Sequence, residues 1–250
     1  MSATPKRVLV TGATRGIGLA TARAFLDAGA RVAVHGTTAA SVAHARETLG
    51  HANTVAAPGD LATVAGCAAL VDAALVGLGG LDVLVNNAGV YVDGPFEAMD
   101  EATWDRVIDV NVKGLFFTCR AALPHLRASR GAIVNVASES GVWGYALGTV
   151  YCASKGAVIN LTRALAIELA PEVRVNAVGP GPVMTDMLRA QIDDAPDPKA
   201  HAASLDAWTP MKRVGRPQEV AAAILFLASD AARFVTGANL RIDGGATAGR

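Results

Sequence analysis

The sequence predicts an α/β protein of one domain, in which a doubly wound parallel sheet of about seven strands carries helices on both faces. Short apolar runs rich in β-branched residues alternate along the chain with stretches of helical periodicity, and this alternation is typical of a parallel sheet covered by helices. The 250 residues suit one large α/β domain, and no linker rich in Pro, Gly or Ser divides them. Residues 1–250 are therefore expected to form a single domain.

The predicted elements follow one another in regular order. The strands cover residues 7–10, 31–34, 54–57, 81–85, 132–136, 174–178 and 240–242. The helices cover residues 19–28, 64–76, 104–126, 151–169 and 219–227. Because ligands bind beyond the carboxyl ends of the strands in such sheets, the residues that follow each strand are the first candidates for a functional site.

The segment of residues 184–212 breaks this alternation. It follows the sixth predicted strand and is rich in Ala, Asp and Pro. Long connections inside a compact domain are commonly functional lids. We therefore expect a helical flap over the substrate.

The charge balance argues against nucleic acid and membranes as partners. Lys plus Arg equals Asp plus Glu at 22 each, so no overall field draws the chain to a phosphate-rich surface. No apolar run approaches the roughly 18 residues of a membrane span, and the short polar N-terminus lacks the pattern of a signal peptide. A cytoplasmic protein is expected.

Cysteine and histidine usage gives no sign of a metal site. Cys67, Cys119 and Cys152 are odd in number and lack metal-ligand spacing, and the five histidines are scattered. We predict free thiols in a reducing compartment and no bound metal.

The first strand is followed by a glycine-rich segment that opens a helix, Thr11-Gly12-Ala13-Thr14-Arg15-Gly16-Ile17-Gly18. Glycines permit a tight turn and a close approach of the backbone to a pyrophosphate, while the helix N-terminus supplies oriented N–H groups. The alternative is a purely structural turn between strand and helix. The position directly after an N-terminal strand favours nucleotide binding.

Two chemically matched side chains lie four residues apart on a predicted helix, Tyr151 and Lys155. This spacing puts both on one face. A free tyrosine has a pKa of about 10 and becomes a useful acid or base near neutrality only when a positive charge stabilises its phenolate. Lys155 can provide that charge, although such pairs also occur on ordinary helix faces.

Over nearly its whole length the chain resembles the short-chain dehydrogenase/reductase family, in particular its 3-oxoacyl-carrier-protein reductases. The glycine-rich segment is similar to the family's T-G-x-x-x-G-x-G signature. Ser138, Tyr151 and Lys155 match its Ser…Tyr-x-x-x-Lys constellation, and Asn111 matches the fourth member. The resemblance implies a Rossmann-like fold and hydride transfer between a nicotinamide cofactor and a carbonyl or alcohol.

The resemblance also implies a role for each of these residues. Ser138 would hydrogen-bond the substrate oxygen, and Tyr151 would transfer its proton. Lys155 would also hold the nicotinamide ribose, and Asn111 would orient a water that links Lys155 to solvent. The residues expected to bind cofactor are Gly12, Thr14, Arg15, Gly16, Ile17, Gly18, Gly36, Thr37, Thr38, Asp60, Leu61, Asn87, Ala88, Gly89, Tyr151, Lys155, Pro180, Gly181, Val183 and Thr185.

The end of the second strand indicates which nicotinamide cofactor is used. An acidic residue there binds the ribose 2′-hydroxyl of NAD and repels a 2′-phosphate. This chain has Gly36, Thr37 and Thr38 instead, and Arg15 can face a phosphate. NADP(H) is therefore favoured and NAD(H) is the alternative, because NADP-using members of the family often carry Arg where Thr37 stands.

Three functions are compatible with these patterns. The first is an NADP(H)-dependent reductase of a ketone or 3-oxoacyl carbonyl. The second is an NAD-dependent alcohol, sugar or steroid dehydrogenase, and the third a nucleotide-binding protein without turnover. Glu172 at the end of the Tyr-bearing helix argues against an acyl carrier protein as partner, whereas Arg127 and Arg130 could still hold one.

Family resemblance and composition extend to assembly and to the substrate pocket. Family members usually form homotetramers through the helices near residues 104–126 and 151–169 and the last strand, and the low charged fraction of 18% agrees. Glu139 is either a substrate contact or a solvated carboxylate. The candidates for pocket walls, which packing alone also explains, are Tyr91, Val92, Trp143, Tyr145, Met184 and Met187.

Overall fold

The chain folds around a parallel sheet of seven strands, as predicted. The computed structural model describes residues 5–249. The strands are β1 (Arg7–Val10), β2 (Arg31–Gly36), β3 (Thr54–Pro58), β4 (Val83–Asn86), β5 (Ala132–Val136), β6 (Arg174–Pro180) and β7 (Asn239–Ile242). They lie in the order β3-β2-β1-β4-β5-β6-β7, and every neighbouring pair is parallel. The order reverses between β1 and β4, which is where a doubly wound sheet opens a ligand crevice.

Helices cover both faces of the sheet. They are α1 (Gly16–Asp27), α2 (Ala39–Leu49), α3 (Val64–Leu78), α4 (Glu101–Ile108), α5 (Leu115–Ser129), α6 (Thr149–Leu169), α7 (Asp186–Asp193), α8 (Pro198–Trp208) and α9 (Pro217–Ala228).

Two buried apolar layers hold these helices to the sheet. One contains α3, α5 and α6, and the other α1, α2 and α9. Successive side chains of β1 alternate between them, with Leu9 in the first and Val8 and Val10 in the second. The near-continuous apolar strands are thus explained by burial on both sides.

The helices differ from the prediction in two places, whereas the segment predicted as a helical flap is helical. The helix predicted over residues 104–126 consists of α4, a π turn (Asp109–Gly114) and α5. The predicted flap contains α7 and α8. Helix α2 was not predicted, because its apolar stripe toward the core consists of Val42, Ala45 and Leu49 alone.

A line of buried polar side chains ties α6 to the centre of the sheet. Asn86 Nδ2 donates to Asn135 Oδ1 at 2.9 Å, and Asn135 Nδ2 donates to Thr162 Oγ1 at 2.9 Å. All three residues are buried. Since buried polar groups need specific partners, this line fixes α6 and its residues relative to β4 and β5.

Several helices and the edge strand carry exposed apolar side chains. Examples are Trp104, Phe116, Ile167 and Leu240 on α4, α5, α6 and β7. Across residues 5–249, no helix is long and apolar enough to cross a membrane.

Candidate active site

A cleft of about 620 Å³ opens at the carboxyl ends of the strands. Loops after β1 to β6 form its walls together with α6, α7 and α8. The predicted site residues that line it are Gly12, Thr14, Arg15, Gly16, Ile17, Gly36, Thr37, Asp60, Leu61, Asn87, Ala88, Gly89, Ser138, Tyr151, Lys155, Pro180, Gly181, Val183 and Thr185. The other three, Gly18, Thr38 and Asn111, are not lining residues.

The glycine-rich loop brings backbone, rather than side chains, to one end of the cleft. Gly12 and Gly16 adopt positive φ angles of 60° and 54°, a region that glycine enters at little cost. A Cβ on Gly12 would lie 2.8 Å from the Cα of Ala88. No side chain caps α1 at Arg15, so N–H groups of its first turn remain to bind an anion such as a pyrophosphate.

Gly18 packs directly against the backbone of this loop. A Cβ there would lie 2.1 Å from the carbonyl oxygen of Gly12. We expect Gly18→Ala to displace the loop, to cost about 1–3 kcal/mol of unfolding free energy, and to weaken cofactor binding. Thermal unfolding and calorimetric titration with NADPH measure both effects.

Gly156→Ala is the matched control. Gly156 also lies in a helix, and its added Cβ would meet Gly141 O at an ordinary 3.6 Å. This variant should bind cofactor like the wild type. Equal behaviour of the two variants would contradict the packing role of Gly18.

Residues after β4 hold the glycine-rich loop in place. Asn87 Nδ2 donates to the carbonyl oxygens of Thr11 and Gly12 at 3.0 and 2.9 Å. The hydroxyl of Thr11 accepts from the backbone N–H groups of Asn87 and Ala88, both at 3.0 Å. The Asn-Asn-Ala-Gly segment thus has both structural and cleft-lining members, since Asn86 ties β4 to β5 whereas Asn87, Ala88 and Gly89 face the cleft.

The two threonines after β2 have different positions. Thr37 is exposed and lines the cleft. Thr38 is the N-cap of α2, and its hydroxyl accepts from Ser41 N at 3.1 Å. A Cβ on Gly36 would lie 2.5 Å from Thr14 Cγ2, so a side chain at position 36 requires a local shift. Thr37 is therefore the side chain of this turn that can meet a ribose or its phosphate.

Other predicted residues close the cofactor end of the cleft. Asp60 Oδ1 accepts from Ala62 N at 3.0 Å, which orders the loop after β3. Thr185 is the N-cap of α7, and its hydroxyl accepts from Leu188 N at 3.3 Å. A Cβ on Gly16 would lie 3.2 Å from Thr185 Cγ2, so the segment after β6 packs directly over the glycine-rich loop.

Tyr151, Lys155 and Ser138 meet at the other end of the cleft. Lys155 is 5% exposed, and its Nζ donates to the carbonyl oxygen of Val136 at 2.9 Å. This Nζ lies 5.6 Å from the centre of the Tyr151 ring. Ser138 Oγ donates to Ser140 Oγ at 3.1 Å. The ring of Tyr91 packs edge-on against Tyr151 with a centroid distance of 4.9 Å.

Burial dominates the electrostatics of this group. It raises the pKa of Tyr151, and the hydrogen bond with Ser138 acts in the opposite direction. Burial also lowers the pKa of Lys155 to about 8. Both effects follow because a low-dielectric site disfavours the charged form of each group. Tyr151 is consequently a protonated donor at neutral pH.

Asn111 occupies the π turn between α4 and α5. Its Oδ1 accepts from Val90 N at 2.8 Å, and its Nδ2 donates to Val90 O at 3.0 Å and to Ser154 Oγ at 3.1 Å. A Cβ on Gly89 would lie 3.3 Å from Asn111 Oδ1 and 3.6 Å from Lys155 Nζ. Asn111 is therefore beside Lys155, and π turns of this kind recur at functional sites.

Aromatic residues surround the space in front of Tyr151. Of the wall residues predicted from sequence, Tyr91, Trp143, Tyr145 and Met187 line the cleft, whereas Val92 and Met184 do not. Of the wall residues that α7 and α8 add, sequence reasoning identified Met187 alone. The others are Asp186, Leu188, Gln191, His201, Leu205 and Trp208.

Trp208 connects the segment containing α7 and α8 to the loop after β5. Its Nε1 donates to Glu139 Oε2 at 3.3 Å, and its ring lies 6.1 Å from that of Trp143. Glu139 is therefore held at the substrate end of the cleft, next to Ser138 in sequence.

In the described part of the chain, no group of three or more His, Cys, Asp or Glu side chains is placed to hold a metal ion.

A crevice at the reversal of strand order, a glycine-rich loop and a half-buried Tyr151 beside the buried Lys155 are the features expected of a dinucleotide-dependent oxidoreductase. The similarity to known proteins agrees with this class. A family model described as Enoyl-(Acyl carrier protein) reductase matches residues 12–247. Meso-2,3-butanediol dehydrogenase of Serratia marcescens is 38% identical, over 97% of this chain and 95% of its own. Cis-4-hydroxycyclohexanecarboxylate dehydrogenase of Sinomonas cyclohexanicum is 43% identical, over 96% of each chain.

The solved structures lead to the same conclusion. The 3-ketoacyl-(acyl-carrier-protein) reductase of Brucella melitensis, complexed with NADH, superposes with a TM-score of 0.88 at 32% identity, over 97% of this chain and 98% of its own. The chain belongs to the short-chain dehydrogenase/reductase family. It is an oxidoreductase that acts on CH–OH or C=O groups with a nicotinamide cofactor.

Proposed function

We propose that this protein is an NADP(H)-dependent oxidoreductase that interconverts a ketone and a secondary alcohol, with Tyr151 as general acid and base. The observation that supports this most directly is the convergence of Ser138, Tyr151 and Lys155 at one end of a cleft whose other end is the glycine-rich loop. A protein that only binds nucleotides has no need of this proton-transfer group.

Each side chain has a defined task in the proposed reaction. The bound nicotinamide supplies or accepts the hydride. Tyr151 Oη gives its proton to the carbonyl oxygen in reduction and takes it back in oxidation. Ser138 Oγ stabilises the charge that grows on the same oxygen. Lys155, whose Nζ donates to Val136 O, would hold a positive charge beside the phenol and would bind the ribose of the cofactor. Asn111 keeps the neighbouring backbone of Val90 in place.

This assignment predicts opposite pH dependences for the two directions. Because burial raises the pKa of Tyr151, the proton donor needed for reduction is populated at neutral pH. The phenolate needed for oxidation forms only as pH rises. We expect kcat for alcohol oxidation to increase from about pH 6 toward pH 8, the range in which Lys155 keeps its charge, while reduction falls on the alkaline side. An oxidation rate independent of pH would argue against Tyr151 as the base.

The cofactor end of the cleft fits a dinucleotide. Cβ atoms at Gly12 and Gly18 would enter space already taken by backbone, and the uncapped first turn of α1 is ready for a pyrophosphate. The turn after β2 lacks a carboxylate, and Thr37 faces the cleft there with Arg15 nearby in the lining. These features support NADP(H), since this turn carries no carboxylate that would oppose a 2′-phosphate.

NAD(H) is the second candidate, and two observations favour it. Thr37 supplies a hydroxyl where an arginine fork would bind a phosphate more strongly. The Brucella melitensis relative was solved with NADH. In this alternative the protein works as an alcohol, sugar or steroid dehydrogenase.

The cleft supports a small-molecule substrate. Aromatic walls and the Glu139–Trp208 pair suit a compact alcohol or ketone. An acyl carrier protein is less well supported, because Arg127 Nε lies 3.2 Å from Glu172 Oε2 and its charge is already paired.

We also propose that the protein is cytoplasmic and forms a homotetramer through the exposed apolar faces of α4 to α6 and β7. Light scattering in solution tests the oligomeric state.

Calorimetric titration with NADPH and NADH tests the proposed function first. We expect tighter binding of NADPH, followed by turnover on a panel of ketones and acyl thioesters. Tighter binding of NADH would favour the dehydrogenase alternative and a panel of alcohols and sugars. Binding of neither cofactor would overturn the assignment as an enzyme.

A further inference from the structure

His35 joins the two loops that form the dinucleotide end of the cleft. It is 3% exposed at the end of β2. Its Nδ1 accepts from the backbone N–H of Gly12 at 2.9 Å, and its Nε2 lies 3.1 Å from the carbonyl oxygen of Gly59. Its own carbonyl oxygen accepts from Ala13 N at 2.8 Å. Two consecutive N–H groups of the glycine-rich loop are thus bound to a single residue.

The two partners of the imidazole assign its protonation state. The N–H of Gly12 can only donate, so Nδ1 must present a lone pair. The carbonyl of Gly59 can only accept, so Nε2 must carry the proton. The neutral Nε2–H tautomer satisfies both partners. An imidazolium would instead point an N–H at the N–H of Gly12, and that hydrogen bond would be lost.

The hydrogen bond at Gly12 matters because this glycine shapes the loop. Gly12 has a φ of 60°, and the Asn87 amide and the backbone of Ala88 pack against it. Gly12 itself is half-buried, and its N–H is directed at the ring of His35, which is 3% exposed. Loss of the acceptor leaves this donor unsatisfied in a site where water cannot easily replace His35.

We infer that His35, in its neutral form, is a positioning residue that holds the glycine-rich loop in its cofactor-binding shape, and that protonation of His35 weakens cofactor binding. This inference rests on the proposed function, because it takes the loop to be the phosphate-binding part of a nicotinamide site. It predicts that cofactor affinity falls at acid pH because His35 becomes protonated, and not because the ligand titrates.

Opposing effects set the pKa of His35. Burial lowers the pKa of His35, whereas the Gly59 carbonyl and the Asp60 carboxylate raise it, with burial the largest effect. Arg15 is the charged side chain of the glycine-rich loop, and it is exposed to solvent. The first turn of α2, which packs against Gly36, contains only Ala39, Ala40, Ser41 and Val42. His35 is therefore neutral at pH 7 and titrates below its ordinary value.

A pH series of calorimetric titrations with NADH tests the inference. NADH is the probe because it lacks the 2′-phosphate, whose own titration would affect NADPH binding in this range. We expect a constant Kd from about pH 8 to pH 7, and below the pKa of His35 a rise that approaches tenfold for each pH unit. Circular dichroism at each pH confirms that the chain stays folded.

Two variants separate His35 from other titrating groups. His35→Gln keeps an uncharged side chain with an acceptor and a donor, so its Kd should no longer depend on acid pH. His201→Gln is the matched control, because His201 also lines the cleft but lies on α8 at the substrate end. It should keep the pH dependence of the wild type.

The possible outcomes separate the role of His35 from the existence of the cofactor site. A wild-type Kd that stays constant over the pH range in which the His35 ring titrates, as followed by its NMR signals, would overturn the role of His35 while leaving the cofactor site intact. An acid dependence that survives in His35→Gln would do the same. Loss of the pH dependence in His201→Gln would show that His201, and not His35, causes the effect. Failure of the wild type to bind NADH or NADPH at about pH 8 would overturn the proposed function together with this inference.

Discussion

Tyr151→Phe is expected to lower kcat about 10²–10⁴-fold and to leave the Kd of the nicotinamide cofactor nearly unchanged. The substitution removes only the hydroxyl that carries the transferable proton. The ring remains and still packs against Tyr91 at a centroid distance of 4.9 Å. Steady-state kinetics with the best substrate of the panel, together with calorimetric cofactor titration, measure the two quantities separately.

Tyr91→Phe is the control for this variant. Tyr91 also lines the cleft, and its hydroxyl donates to Asp93 Oδ2 at 3.2 Å. Its kcat should stay much closer to that of the wild type. Near-normal turnover by Tyr151→Phe, or equal losses in both variants, would refute Tyr151 as the general acid and base.

Substitutions of Thr37 should change cofactor preference in opposite directions. Thr37→Arg adds a charged fork where the 2′-phosphate is proposed to lie, and we expect it to tighten NADPH binding about tenfold or more. Thr37→Asp should weaken NADPH binding by a comparable factor, because its carboxylate repels the phosphate and can accept from a ribose hydroxyl. Parallel titrations with NADH serve as the internal control.

Position 37 is a better choice for this test than position 36. A Cβ at Gly36 would lie 2.5 Å from Thr14 Cγ2, so a substitution there would combine charge with a steric shift. Thr37 is exposed and has room for a longer side chain. If both Thr37 variants kept the NADPH/NADH ratio of the wild type, the phosphate pocket would have to be elsewhere.

The sequence predicted the features that depend on local periodicity. Strands buried on both faces appear as continuous apolar runs, and their carboxyl ends meet at one edge of the sheet whatever the helices do between them. The i, i+4 spacing of Tyr151 and Lys155 likewise fixes a common face of α6. These are relations within one element or between neighbours in a regular topology.

Features that depend on distant contacts were not predictable in the same way. The hydroxyl of Thr38 caps α2, so the backbone of this helix competes with a ligand for the hydroxyl. Composition does not reveal this competition. The π turn at Asn111 lies inside an uninterrupted helical pattern. Trp208 reaches Glu139 only because α8 folds back over the cleft. The role of His35 depends on two loops that follow different strands.

The placement of the tryptophans gives the protein a built-in optical reporter. The chain has three tryptophans, and two of them, Trp143 and Trp208, line the cleft with ring centres 6.1 Å apart. The third, Trp104, is half-exposed on α4. Indole emission should therefore respond mainly to events at the substrate end, and excitation energy absorbed there can pass to a nearby reduced nicotinamide. Occupancy of the cleft can be followed by light alone, without a label and before any substrate is known.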